Sequence, residues 1–164
     1  MLKQDGIPSK EELSRVLPSE QRLAQGPVVI AECFQRIPCD PCARRCPRGA
    51  FSIGEDINDL PRWDAELCDG CGDCIALCPG MAIFGVDMTY SKDQALVSLP
   101  FEFVPRPKPG QMALGLDRGG RELGWFEVAD VKCGGEGNKT YVIALKAPRE
   151  LAMELRQIKA GGYR

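Results

Sequence analysis

The sequence predicts an α+β protein: a pseudo-twofold cysteine-rich domain, a small antiparallel β-barrel-like domain, and a C-terminal helix. Three observations carry this expectation. Eight of the nine cysteines lie between Cys33 and Cys78, and their spacing repeats. From about residue 95 the pattern changes to short strand-like runs separated by Gly- and Pro-rich turns. After Pro148 an apolar stripe recurs at helical spacing. A chain of 164 residues holds one ordinary domain or two small ones, and 44% apolar with 27% charged residues is a globular composition. The boundaries read as an arm over 1–27, the cysteine domain over 28–92, and the β domain with its helix over 93–164.

In the arm, Ser9 three residues before Glu12 forms a capping-box pattern. Leu13, Val16 and Leu17 give it a narrow apolar stripe, and Pro18 ends it. So short a helix is marginal alone and is expected to lie on another surface. Arg15, Arg22 and the Pro105–Pro109 stretch are candidate partner contacts. In the β domain the expected strands are Ala95–Ser98 with Phe101–Val104, Gln111–Leu116, Trp125–Lys132 and Thr140–Lys146. Turn signals at 105–110, 117–120 and 134–138 separate them. The closing helix is expected over Arg149–Lys159, with Leu151, Leu155 and Ile158 on one face.

Composition excludes several functions. Net charge is −2 with Lys and Arg scattered, so nothing favours nucleic acid. The longest apolar runs, such as Pro27–Ala31, fall far short of the roughly 20 residues of a membrane helix. There is no histidine, which removes Ser-His and Cys-His catalysis, mixed Cys/His zinc sites, Rieske centres and His-ligated haem. Nine cysteines behind an N-terminus without a signal-peptide core point to metal thiolates in a reducing, cytoplasmic setting. No G-x-G-x-x-G turn is present, so neither flavin nor nicotinamide is expected on this chain; Gly115–Gly124 reads as a hairpin turn.

The cysteine spacing carries the chemistry. Cys68-Asp-Gly-Cys71-Gly-Asp-Cys74-Ile-Ala-Leu-Cys78-Pro79 is a complete C-x2-C-x2-C-x3-C-P run. Three thiolates at steps of three can wrap one iron–sulfur cube, while the fourth cysteine faces a second cluster. Gly70 and Gly72 relieve crowding in that tight loop. Upstream, Cys33-x5-Cys39-Asp-Pro-Cys42-Ala-Arg-Arg-Cys46-Pro47 ends in the same order. Cys46 to Cys78 is a repeat of 32 residues, and Cys46-Pro47-Arg48-Gly49-Ala50-Phe51 matches Cys78-Pro79-Gly80-Met81-Ala82-Ile83 in pattern.

Over residues 30–90 the chain resembles the bacterial dicluster ferredoxins, in which two such runs exchange their last cysteines. The resemblance implies two 4Fe-4S clusters, one held by Cys68, Cys71, Cys74 and Cys46, the other by Cys39, Cys42 and Cys78. Regular spacing puts the remaining ligand at position 36, which is Arg36; Cys33 is the substitute if Phe34–Pro38 loops out. The competing outcome is a three-ligand site holding a 3Fe-4S cluster or a labile cube. A four-cysteine zinc knuckle from Cys39, Cys42, Cys68 and Cys71 is the other alternative, although it leaves Cys33, Cys46, Cys74 and Cys78 without a purpose. Cys133 reads as a free thiol.

Asp64, Glu66, Asp69 and Asp73 flank the downstream run, and Arg44, Arg45 and Arg48 the upstream one. Negative charge disfavours adding an electron, so the Cys68/Cys71/Cys74 cluster is expected to have the lower potential.

The stretches Pro18–Pro27 and Ile30–Cys39, with Pro100–Pro109 and Asp117-Arg118-Gly119, are similar to small iron–sulfur proteins of anaerobic bacteria. Those proteins accompany FAD-dependent amino-acid or amine dehydrogenases of the hydroxyproline or proline type. That resemblance implies a non-catalytic electron-transfer subunit relaying electrons between a flavin-containing dehydrogenase partner and an external acceptor. A free soluble ferredoxin is the alternative, and the near-neutral charge and long β segment argue for docking instead.

Overall fold

A computed structural model of the chain describes residues 2–135 and 137–164. The arm contributes three short helices, α1 (Leu2–Asp5), α2 (Lys10–Ser14) and α3 (Glu20–Leu23). The Ser9/Glu12 capping box forms, with Ser9 Oγ accepting from the Glu12 N–H and the Glu12 carboxylate accepting from the Ser9 N–H. Leu17 and Leu23 lie against the main core, so the arm gains its stability from that surface.

The cysteine segment follows as β1 (Val28–Ala31), α4 (Pro41–Arg45), β2 (Phe51–Ser52), β3 (Arg62–Trp63), α5 (Asp73–Leu77) and β4 (Ile83–Asp87). Beyond it come β5 (Gln94–Phe101), β6 (Met112–Leu116), β7 (Glu122–Cys133), β8 (Tyr141–Pro148) and β9 (Gln157–Tyr163). Strands β2 and β3 pair only with each other. The other seven form one antiparallel sheet in the order β1-β4-β5-β8-β7-β6-β9. Its ladder therefore crosses from the cysteine segment into the β segment, through Gly85↔Ser98, Val86↔Val97 and Asp87↔Leu96.

The two faces of this sheet are both buried where they meet the site. One face gathers Ile30, Phe84, Val97, Leu99, Phe101, Val128, Ile143 and Leu145 into the main core. On the opposite face Val29, Ala31 and Ile83 join Phe51, Cys74 and Ile75 in a second core that Cys42, Cys46, Cys68 and Cys78 border. That double burial explains why β1 is apolar at all four positions instead of alternating.

Two sequence expectations need correction. Residues after Pro148 do not form a helix to Lys159: a 3-10 turn (Arg149–Leu151) leads into β9. Leu155 and Ile158 are buried as their spacing requires, but Ile158 does so as a strand residue opposite Gly115. A single helical turn followed by an extended step satisfies the same apolar spacing, and pairing with β6 at Ile158 and Gln157 selects the extended form. The second apolar run also differs, since β5 continues through Pro100 to end at Phe101, leaving Phe103 and Val104 exposed.

Candidate metal centre

The 32-residue sequence repeat is a repeat of geometry. β1 pairs with β4 through Ile30↔Phe84 and Ala31↔Ile83, and β3 pairs with β2 through Arg62↔Ser52 and Trp63↔Phe51, each partner displaced by the same interval. Just beyond each strand the Glu32 N–H donates to Ala82 O at 2.8 Å and the Asp64 N–H to Ala50 O at 2.9 Å. Helices α4 and α5, five residues each, end at Cys46 and Cys78 with ψ of 112° in both. A tight turn follows: the Gly49 N–H donates to Cys46 O (3.2 Å) and the Met81 N–H to Cys78 O (3.0 Å). Gly49 (φ 65°) and Met81 (φ 49°) both take left-handed backbone there. This turn aims the Ala50 N–H at Cys46 Sγ (3.3 Å) and the Ala82 N–H at Cys78 Sγ (3.4 Å).

Eight cysteines fall into two groups of four. One cavity is lined by Cys33, Cys39, Cys42 and Cys78, closed by Ala31, Ile37, Ile53, Pro61, Pro79 and Ile83. The other is lined by Cys46, Cys68, Cys71 and Cys74, with Val29, Phe51, Arg48 and Asp69. Each group draws members from both runs, because Cys46 and Cys78 sit at the crossing ends of α4 and α5. Position 36 is turned outward, with Arg36 paired to Asp59 at 2.6 Å, while Cys33 reaches the cavity. The four cysteines of a zinc knuckle are not assembled: Cys39 and Cys42 line one cavity, Cys68 and Cys71 the other. Among the described residues no three Cys, Asp or Glu groups converge tightly enough for a single ion. All nine cysteines are free of disulfides. Sulfur-only donors with backbone N–H groups directed at Cys46, Cys68 and Cys78 suit iron–sulfur chemistry.

Burial sets the electrostatics of these thiols. Cys74 is pushed up to about 12, first by loss of solvent and then by the neighbouring Cys68, Cys71 and Cys46. Cys42 rises to about 11, again by burial, with Cys78, Cys39 and Cys33 adding to it against a bond from the Ala43 N–H. Cys33, Cys39 and Cys71 are raised too, mainly by burial. Cys71 is the exposed member of its group, and a cleft of about 390 Å³ runs from it along α5 to Ser98, Asp130 and Lys132 on the sheet. Cys133 lines the far side of that cleft as a free, exposed thiol, its S–H directed at Asn138 O (3.5 Å) and Gly135 O (3.6 Å).

Charged residues around the site behave differently from their order in the chain. Arg48 pairs with Asp69 at 2.7 Å, so a cation of the upstream run sits at the downstream group. Arg44 is held by Asp40. Arg22 is 5% exposed and does not face a partner. It donates to Ala65 O (2.8 Å), Gly26 O (3.2 Å), Pro27 O (2.9 Å) and Cys68 O (2.6 Å), tying the arm to the loop that carries Cys68. Sequence reasoning missed a buried ion cluster beside Cys33. The Glu32 carboxylate accepts from Arg118 (2.6 and 2.8 Å) and Arg156 (2.8 Å). Burial opposes its charge, but the two guanidiniums outweigh that and hold it below the usual range for a glutamate.

Comparison with known proteins agrees with the donor set. Residues 60–85 match the family described as a 4Fe-4S binding domain. The 4Fe-4S motif at residues 60–85 supports an iron–sulfur electron-transfer role. A 47-residue stretch, 29% of the chain, is 40% identical to one subunit of the ion-translocating oxidoreductase complex of Methanosarcina acetivorans. The match spans 17% of that relative's length. No solved structure matches the chain. Among the described residues no helix is long and apolar enough to cross a membrane.

Proposed function

We propose that the chain is a dicluster electron-transfer subunit of ferredoxin type. One 4Fe-4S cluster is held by Cys33, Cys39, Cys42 and Cys78, the other by Cys46, Cys68, Cys71 and Cys74. The observation that carries this reading is the pair of cavities, each lined by four cysteines taken from both halves of the repeat. A bound cluster accepts and releases one electron at a time. The protein's own part is to hold sulfur in place and to govern access. The Ala50 and Ala82 N–H groups, already directed at cysteine sulfur, favour the electron-rich state of the ligands they touch. Exposed Cys71 is the point where a redox partner approaches closest, whereas buried Cys74 insulates the same group from the sheet side.

The electrons come from a flavin-containing dehydrogenase subunit oxidising an amino acid or amine, and pass to an external acceptor. The similarity of Pro18–Pro27 and Ile30–Cys39 to iron–sulfur partners of such enzymes supports this donor. The relative from Methanosarcina acetivorans, which belongs to an ion-translocating oxidoreductase complex, favours a second reading in which the assembly is of that kind. Exposed Ile37, Ile57 and Leu60 beside the first group, and Phe103 and Val104 beyond β5, give an assembly apolar surface to cover.

Iron and acid-labile sulfide counted after anaerobic purification test the cluster assignment. About eight of each per chain are expected; zinc without sulfide would end the reading. An anaerobic pull-down of the tagged chain tests the assembly. A near-equal flavoprotein with amine or amino-acid dehydrogenase activity is expected, ion-translocating subunits would favour the second reading, and neither would leave a diffusing ferredoxin.

A further inference from the structure

We propose that Glu32, clasped by Arg118 and Arg156, is the positioning residue that lets Cys33 serve as the displaced fourth ligand of the Cys39/Cys42/Cys78 cluster. The inference rests on the two-cluster reading above and concerns the one position where the repeat is broken. Glu32 and Asp64 are counterparts, each closing a strand and each donating its N–H to an alanine carbonyl of the opposite half. In the second half Cys68 comes four residues after Asp64, at the end of a loop that Arg22 pins. In the first half that ligand position is Arg36, and Cys33 follows Glu32 directly. A ligand one residue beyond a strand end has almost no loop with which to adjust. Where Glu32 sits therefore decides where the Cys33 sulfur sits.

The surroundings of the two counterparts differ in the same place. Among the described residues the exposed Asp64 accepts only a local bond, from the Glu66 N–H at 2.9 Å. The Glu32 side chain is 7% exposed, and its guanidinium partners Arg118 and Arg156 are 10% and 3% exposed. Arg118 is itself fixed on Met153 O (2.9 Å), and Arg156 on Leu155 O (2.7 Å) with its guanidinium 5.0 Å from the Phe84 ring centre. Apolar side chains would join the strand end to this region at least as well as a buried ion cluster does. Three directional bonds to one carboxylate do something apolar contact does not: they fix its position and direction. Ala82 completes the frame, since it accepts from the Glu32 N–H and donates to Cys78 Sγ, linking Cys33's neighbour to another ligand of the same group.

The test compares the full chain with Glu32→Gln, Arg118→Leu and Arg118→Lys, each purified anaerobically. Cys33→Ser serves as the reference for a lost ligand, and Arg22→Met as a control directed at the other group. The wild type is expected to carry about eight irons. Glu32→Gln and Arg118→Leu should fall to about seven and show in the oxidised state the EPR signal of a three-iron cluster, as Cys33→Ser should. Arg118→Lys, which keeps the charge but not the two-point geometry, should recover only part of the eighth iron, and Arg22→Met should leave the Cys33 group intact. The inference is overturned if folded Glu32→Gln and Arg118→Leu keep the full iron count with unchanged spectra. It is equally overturned if every variant, Arg118→Lys included, loses both clusters together with the fold. A wild type with about four irons would instead refute the two-cluster reading itself.

Discussion

A thiol buried among other thiols holds its proton, and that fact governs how this protein acquires metal. Cys74 and Cys42, pushed up to about 12 and about 11 mainly by burial, must surrender protons to become ligands. Loading the iron-free chain with iron and sulfide should therefore release protons and go further at about pH 8.5 than at about pH 6.5, which a pH-stat follows directly. In the iron-free chain the sign reverses for stability. Their folded values exceed the ordinary 9.0, so the stabilisation is complete below about pH 9 and lost as pH rises toward their folded values. Denaturant titrations of apo-protein across that range should show the decline. Arg48 offers a second residue-scale test, because it sits against Asp69 at the Cys46/Cys68/Cys71/Cys74 group. Arg48→Gln removes a nearby positive charge and should lower that cluster's midpoint by roughly tens of millivolts in an EPR-monitored titration, leaving the other unmoved. The cysteines were legible in the sequence because ligation imposes fixed spacing. Glu32 was not, since its partners lie 86 and 124 residues away and leave no local pattern.

At the scale of elements, turns and ties decide how the sulfurs are presented. Gly49 has φ of 65° and open space where a side chain would go, so Gly49→Ala meets backbone strain alone. It should cost about 1 kcal/mol in chemical denaturation. Gly115 is the opposite case, because a side chain there runs into the Phe126 ring and Leu155. Gly115→Ala should cost about 2 kcal/mol through overpacking and loosen the β6–β9 pairing, visible as faster amide exchange at Ile158. The strands of the β segment were readable from their alternation and turn residues. The closing segment was not, because Leu151, Leu155 and Ile158 suit a helix as well as a turn followed by a strand. What separates the two is the partner strand β6, and a partner strand is tertiary information.

At the scale of the whole molecule, the seven-stranded sheet runs through the boundary that composition suggests near residue 92. A fragment ending at residue 92 would expose Ile30, Phe84 and Val86, all members of the main core. It should be insoluble or fail to retain clusters, measured as iron per chain beside the full protein. Composition could mark the change in residue usage but not a ladder that ignores it. The same sheet makes the two strand pairs of the repeat unequal. Cys33 and Cys78 adjoin β1 and β4, which are set in a seven-stranded sheet, whereas Cys46 and Cys68 adjoin β2 and β3, a two-residue ribbon. Each half of the doubled motif gives one strand to the foundation of the rest of the protein and keeps the other free of it. Random substitution should therefore find the β2–β3 ribbon, outside buried Phe51, more forgiving than the β1–β4 pair, although each pair frames a cavity of the same four-cysteine type.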